Sequence, residues 1–273
     1  IITRHTLAER ARRRSRILLA EDNLVNQKVA LKALEKLGFA ADVANDGAQA
    51  LQATREKRYD LVLMDVQMPV MDGMEATRQI RDAKSGSQNP QVIIVALTAH
   101  AMTGDRERCL QNGMDDYLAK PIKAAELQEV ISRWMSTAPA GPESEPNPTA
   151  MAVTDTPPPP VFDEKVLLTI LDGDRESAAE IAGQYQQDVP RMVSSLRESI
   201  ESGEFTVMRE RAHLLKGASA SVGAEAMRFC AADLEKKAVS GAMSDQERVA
   251  ALAELDHQYN MLEALIEEKG GLM

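Results

Sequence analysis

Two stretches of this 273-residue chain hold side chains suited to carrying a phosphoryl group: Asp65 within LVLMDVQMP and His213 within AHLLKGASASVG. A carboxylate oxygen and a neutral imidazole nitrogen are both nucleophiles toward phosphorus. Glu21 and Asp22 follow an apolar run, ILLA, and Asp65 ends another, so three carboxylates are expected at one edge of a sheet. Crowded negative charge disfavours the ionised forms unless a cation intervenes. Hard oxygen ligands favour Mg2+, which binds a couple of carboxylates and keeps positions for water and phosphate. Thr98 and Lys120 end two further apolar runs, where a hydroxyl and an ammonium would support phosphoryl oxygens. Singly, each has a plainer reading: Asp22 as a cap for a helix beginning near Leu24, Thr98 as a strand end, Lys120 as a solvated cation. Their convergence at the ends of four strands favours the chemistry.

On the helical window that starts at Phe205, Leu214, Leu215, Ala218 and Val222 form an inward stripe. His213, Lys216, Gly217 and Ala220 then share the neighbouring face, because residues three and four apart are neighbours on a helix. A cation beside the imidazole attracts a phosphoryl group, and Gly217 leaves room for an incoming active site. An isolated histidine in a helix is ordinarily a surface or core residue, and His5, His100 and His257 keep that reading.

The elements that must position these groups are legible as periodicities. Short apolar runs ILLA (17–20), ADVA (41–44), LVLM (61–64), VIIVAL (92–97) and YLA (117–119) alternate with helical windows, among them 47–55, 73–83, 105–112 and 123–134. Most runs are continuous rather than alternating, as parallel strands covered on both faces require. Five strands alternating with five helices predict a doubly wound α/β parallel sheet, in which ligands bind beyond the carboxyl ends of the strands. Beyond Val161 only helical periods remain, over 163–171, 175–202, 205–221, 224–240 and 245–268, which predict a four-helix bundle. Pro190 should kink or break the second of these.

Composition bounds the rest. A hydrophobic content of 44% over 273 residues fills more than one core, since single domains run to roughly 100–200 residues. Residues 136–160, with APAGPESEPNP and TPPPP, read as a proline-rich linker able to span roughly 75 Å at about 3.1 Å per residue. The net charge of −10 argues against nucleic acid as a partner. Cys109 and Cys230 fall in different domains, which excludes a disulfide framework and suits a reducing cytoplasm. No apolar run reaches the roughly 18 residues of a membrane span. The arginine-rich lead-in over 1–15 reads as a connector from a longer parent, which a membrane could anchor.

In their order and spacing, ILLAEDN, LVLMDVQMPVMDG, VALTAHA and DYLAKP make residues 16–135 resemble the receiver domain of response regulators and hybrid sensor kinases. The resemblance implies Asp65 as phosphoacceptor, Mg2+ held by Glu21, Asp22, Asp65 and the backbone carbonyl of Gln67, and a switch formed by Thr98 and Tyr117. It also implies a cis bond before Pro121, proline being the residue that makes cis accessible. Residues 161–273 resemble histidine-containing phosphotransfer domains through His213, Leu215, Lys216, Gly217 and Gly223, with FCAADLEKKAVSG downstream. That implies His213 as the phosphorylated residue, reacting through Nε2, with Lys216 and Gly217 as its neighbours. One departure is Ala218, where the family often has serine, with Ser219 adjacent to compensate. The fragment shows no glycine-rich nucleotide-binding boxes, so an upstream sensor kinase core, expected in the same parent in the inner membrane, must supply phosphoryl groups. A downstream response regulator receiver completes the relay. The alternatives are a binding switch or a phosphate sink, in which His213 is not a used carrier.

Overall fold

The computed structural model describes residues 16–98, 103–135 and 159–273. The expected connector, His100 and nearly all of the expected linker lie outside these residues. The chain divides into two compact units between residues 152 and 153.

The first unit is β1 (Ile17–Ala20), α1 (Leu24–Lys36), β2 (Ala41–Ala44), α2 (Gly47–Glu56), β3 (Leu61–Asp65), α3 (Gly73–Arg81), β4 (Ile93–Thr98), α4 (Thr103–Gln111), β5 (Asp116–Ala119) and α5 (Ala124–Met135). All strands run parallel in the order β2-β1-β3-β4-β5. Alternate side chains of each strand go to opposite faces. Ile17, Leu19, Leu61, Leu63, Val95 and Leu97 pack with α1 and α5, while Leu18, Ala20, Val62, Met64, Ile94 and Ala96 pack with α2, α3 and α4. Burial on both faces is why the strand sequences are continuously apolar. β3 and β4 end on Asp65 and Thr98, where the sequence placed them, while β5 stops at Ala119, one residue short of Lys120.

The loop from β3 to α3 is tightly closed. Gly73 N–H donates to the Val66 carbonyl at 3.0 Å, and Gly47 N–H donates to that of Met71 at 3.1 Å. A Cβ on Gly73 would sit 2.0 Å from the Asp65 carbonyl oxygen, so only glycine lets α3 begin this close to the end of β3. Within the loop Val70 has φ +67°, a left-handed conformation that a β-branched residue adopts only under constraint, and its side chain is 88% exposed.

The second unit is α6 (Glu164–Ile170), α7 (Arg175–Ser202), α8 (Phe205–Val222), α9 (Glu225–Val239) and α10 (Asp245–Lys269). The short α6 and the four long helices fall on the five helical windows expected. Pro190 does not break α7, which runs through it for 28 residues. Ile181, Tyr185, Val189, Val193, Leu196 and Ile200 are all buried along one face. Their burial, about 1.5–3 kcal/mol for each fully buried side chain, outweighs the roughly 3 kcal/mol that an interior proline costs. At its end α8 turns on Gly223, φ +86°, whose missing Cβ would lie 2.2 Å from the Asp163 carbonyl. Asp163 N–H donates to the Gly223 carbonyl at 2.8 Å, fastening the start of the unit to the end of α8.

The constraint on Val70 gives a prediction. Asparagine tolerates this backbone region, so Val70→Asn should raise the unfolding free energy of the first unit by about 1 kcal/mol, the low end of the cost of a strained residue. Urea denaturation checks this, and an unchanged midpoint would show that the loop carries no strain.

Candidate functional site

The parallel register brings Glu21, Asp22 and Asp65 to the carboxyl edge of β1 and β3. One oxygen from each lies within 4.8 Å of the others, an arrangement able to hold a metal ion. Glu21 and Asp65 are buried, at 1% and 2% exposure, and Asp22 is half-buried. Asp22 does not cap α1. Asn23 does, its side chain accepting from Val25 N and Asn26 N, which leaves Asp22 to the pocket. Lys120 reaches in from the end of β5, its Nζ 2.5 Å from Asp65 Oδ2 and 2.6 Å from Glu21 Oε2. Gln67 N–H donates to Asp65 Oδ1 at 3.1 Å.

With all three ionised, the carboxylates against one ammonium leave two negative charges in a largely buried site. Burial, followed by the neighbouring Glu21, pushes Asp22 up to about 7. Burial also raises Asp65, against the pull of Lys120. For Lys120, burial favours the neutral amine, but Asp65 and Glu21 outweigh it and hold the pKa above the ordinary lysine value. The lysine therefore stays charged, and the unmatched carboxylates take up either protons or a divalent cation. Glu21 Oε2 supports the second outcome. It is fully buried, and the Lys120 ammonium it meets at 2.6 Å is shared with Asp65. All-oxygen ligands and this charge deficit fit a hard dication.

The remaining residues expected around the pocket are placed as follows. Thr98 is buried at the end of β4, and the register sets Leu97 beside Asp65 and Ala119 beside Thr98. Tyr117, half-buried on β5, has the Arg106 guanidinium 5.8 Å from its ring centroid. The Lys120–Pro121 bond is cis.

His213 lies on α8, its side chain 12% exposed. Nδ1 is 2.8 Å from Glu235 Oε1, and Lys216 Nζ donates to the other oxygen, Oε2, at 2.5 Å. Burial alone would raise Glu235, but the hydrogen bonds from His213 and Lys216 pull it down to about 2. An ionised carboxylate can only accept, so the proton of the neutral ring sits on Nδ1 and the lone pair on Nε2. Lys216 is buried against Glu235, the carboxylate it shares with His213. Ser219 does not compensate for Ala218. It is fully buried and shares a hydrogen bond of 2.9 Å with Tyr185. Glu235 escaped the sequence reading because it sits on α9, 22 residues away, with nothing local to mark it.

The family described as Response regulator receiver domain matches residues 17–132, and that described as Hpt domain matches residues 180–268. The chain carries a receiver domain followed by an Hpt domain. Sensor histidine kinase GacS of Pseudomonas protegens is 32% identical over 95% of this chain and 27% of that protein. Sensor protein GacS of Pseudomonas syringae pv. syringae is 33% identical over 92% of this chain and 27% of its own length. The chain thus spans about a quarter of these relatives. Among solved structures, the receiver domain of a sensor histidine kinase from Pseudomonas aeruginosa PAO1, with magnesium coordinated in its active site cleft, is 51% identical. It covers 44% of this chain and 97% of that one, with a TM-score of 0.41. The doubly wound sheet is the receiver, and α7 to α10 hold most of the Hpt match, so the chain is a two-component phosphorelay module. Among the described residues no helix is long and apolar enough to cross a membrane.

The pocket makes receiver stability pH-dependent with a definite sign. A carboxylate whose folded pKa is raised binds its proton more tightly folded than unfolded, so stability falls as pH rises. For Asp22 the loss should run from the ordinary carboxylate range up to about 7 in cation-free protein. Mg2+ should oppose it, with its gain growing toward alkaline pH. Denaturation midpoints with and without Mg2+, below and above neutrality, test this, and a cation effect independent of pH would contradict it.

Proposed function

We propose that Asp65 accepts a phosphoryl group from a phosphohistidine and that His213 carries one to or from a receiver aspartate. The observation behind this reading is the pairing of two nucleophiles with opposite surroundings: Asp65 among carboxylates and Lys120, and His213 oriented through Nδ1 by Glu235. At Asp65 a carboxylate oxygen attacks phosphorus, the new P–O bond forms as the donor's P–N bond breaks, and that electron pair returns to the imidazole. Lys120 offsets charge on the transferring oxygens, and the Thr98 hydroxyl donates to one of them once the group has arrived. Tyr117 then repacks, an event at one side chain biasing a two-state element. Glu21, Asp22, Asp65 and the Gln67 carbonyl would hold Mg2+, which when bound neutralises phosphoryl charge.

At His213 the Nε2 lone pair is the nucleophile, Lys216 shares the Glu235 carboxylate that fixes the ring, and Gly217 keeps the approach clear. The relatives named as sensor kinases support a hybrid sensor kinase as parent, with its kinase core upstream and a response regulator downstream. In that parent residues 1–15 are a connector, 16–135 the receiver, 136–160 a linker and 161–273 the phosphotransfer domain. The module is cytoplasmic, and the parent is anchored in the inner membrane.

A radiolabel time course with purified kinase core and a downstream receiver tests the scheme. Asp65→Asn should accept no label. His213→Gln should accept it and fail to pass it on, and excess chelator should stop acceptance by wild type. Acyl phosphate survives acid better than alkali and phosphohistidine the reverse, so label confined to the acid-stable form eliminates the relay, as does a His213→Gln protein that still labels its downstream receiver.

Glu235→Ala should slow transfer through His213 about tenfold with helical content unchanged, the scale of losing one charge-assisted hydrogen bond of about 1.5 kcal/mol. Glu235→Gln, which still accepts from Nδ1, should keep most of the rate. Equal rates for Glu235→Ala and wild type would remove Glu235 from the scheme.

A further inference from the structure

Glu21 is held from two directions by consecutive residues of α1. Asn26, 8% exposed, donates from Nδ2 to Glu21 Oε1 at 2.9 Å, and the Asn23 N–H approaches the same oxygen at 3.3 Å. Gln27, 7% exposed, donates from Nε2 to the Glu21 backbone carbonyl at 2.6 Å and to Asn45 Oδ1 at 2.9 Å. The other carboxylate oxygen, Oε2, is buried and lies 2.6 Å from Lys120 Nζ.

We propose that Asn26 is a positioning residue of the acceptor pocket, its amide fixing one oxygen of Glu21 so that the other is presented to Lys120 and to the cation. This rests on the Mg2+ reading above. The terminal torsion of a glutamate is broad and two-fold, so nothing within Glu21 itself holds the carboxylate plane. A donor on one oxygen does hold it. The backbone of Asn26 is itself pinned, its N–H donating to Asn23 Oδ1 at 3.2 Å, so the cap of α1 also sets where the amide points. The chemistry calls for an amide here. An apolar residue would leave Oε1 with the Asn23 N–H alone, and an aspartate would add a fourth carboxylate to a pocket already carrying two unmatched negative charges. Orienting partners behind metal ligands typically govern affinity by about 10–100-fold.

The experiment is a Mg2+ titration of the full chain, followed through backbone amide resonances at the carboxyl edge of the sheet, for wild type, Asn26→Ala and Asn26→Leu. Leucine keeps roughly the size of the side chain and favours the helix but cannot donate, so it serves if alanine unfolds the receiver. The Mg2+ concentration for half-saturation should rise about tenfold in both variants. Label acceptance by Asp65 should shift to higher Mg2+ by the same factor and return to the wild-type plateau at saturation. Unchanged Mg2+ affinity overturns the proposal, as does a plateau that stays depressed at saturating Mg2+, which marks general damage to the pocket. Asp22→Asn separates the two levels of inference: if it binds Mg2+ as wild type does, the metal reading fails before the role of Asn26 is at issue.

Discussion

The receiver is organised around an imbalance of charge. Three carboxylates and one ammonium share a largely buried pocket, and with every carboxylate ionised the four side chains carry an excess of negative charge. The fold holds the carboxylates together against their repulsion because each is fixed by backbone that is stable for other reasons. Glu21 and Asp22 leave a strand buried on both faces, and Asp65 ends the strand beside it. The apolar core thus sustains a site that its own electrostatics would disperse, and the cost falls away when positive charge arrives.

The Hpt site solves the opposite problem. There a single carboxylate, Glu235, serves both an imidazole and an ammonium, so the local balance is neutral or slightly positive before any phosphoryl group is present. One carrier is short of positive charge and depends on help from solution, while the other has its counter-charge built in. The two sites thus present environments of opposite electrostatic character.

Much of this was legible in the sequence. Continuous apolar runs gave the five strands nearly to the residue, because parallel strands buried on both faces leave no room for polar alternation. Residues at strand ends converge by topology alone, so Asp65, Asp22, Glu21 and Lys120 could be placed together without coordinates. What escaped was contact across elements. Glu235 meets His213 from another helix, and the burial of Lys216 follows from that meeting. Pro190 misled for the reverse reason: a local rule predicts a break, and a long apolar face overrides it. Ser219 is likewise held by another helix, its hydroxyl sharing a hydrogen bond with Tyr185 on α7.

Gly223 has a mechanical consequence. The chain entering the helical unit is tied by the Asp163–Gly223 hydrogen bond to the last turn of the helix that bears His213. Asp163 also caps α6, so one short stretch of backbone joins the start of this unit to the end of the helix that presents the imidazole.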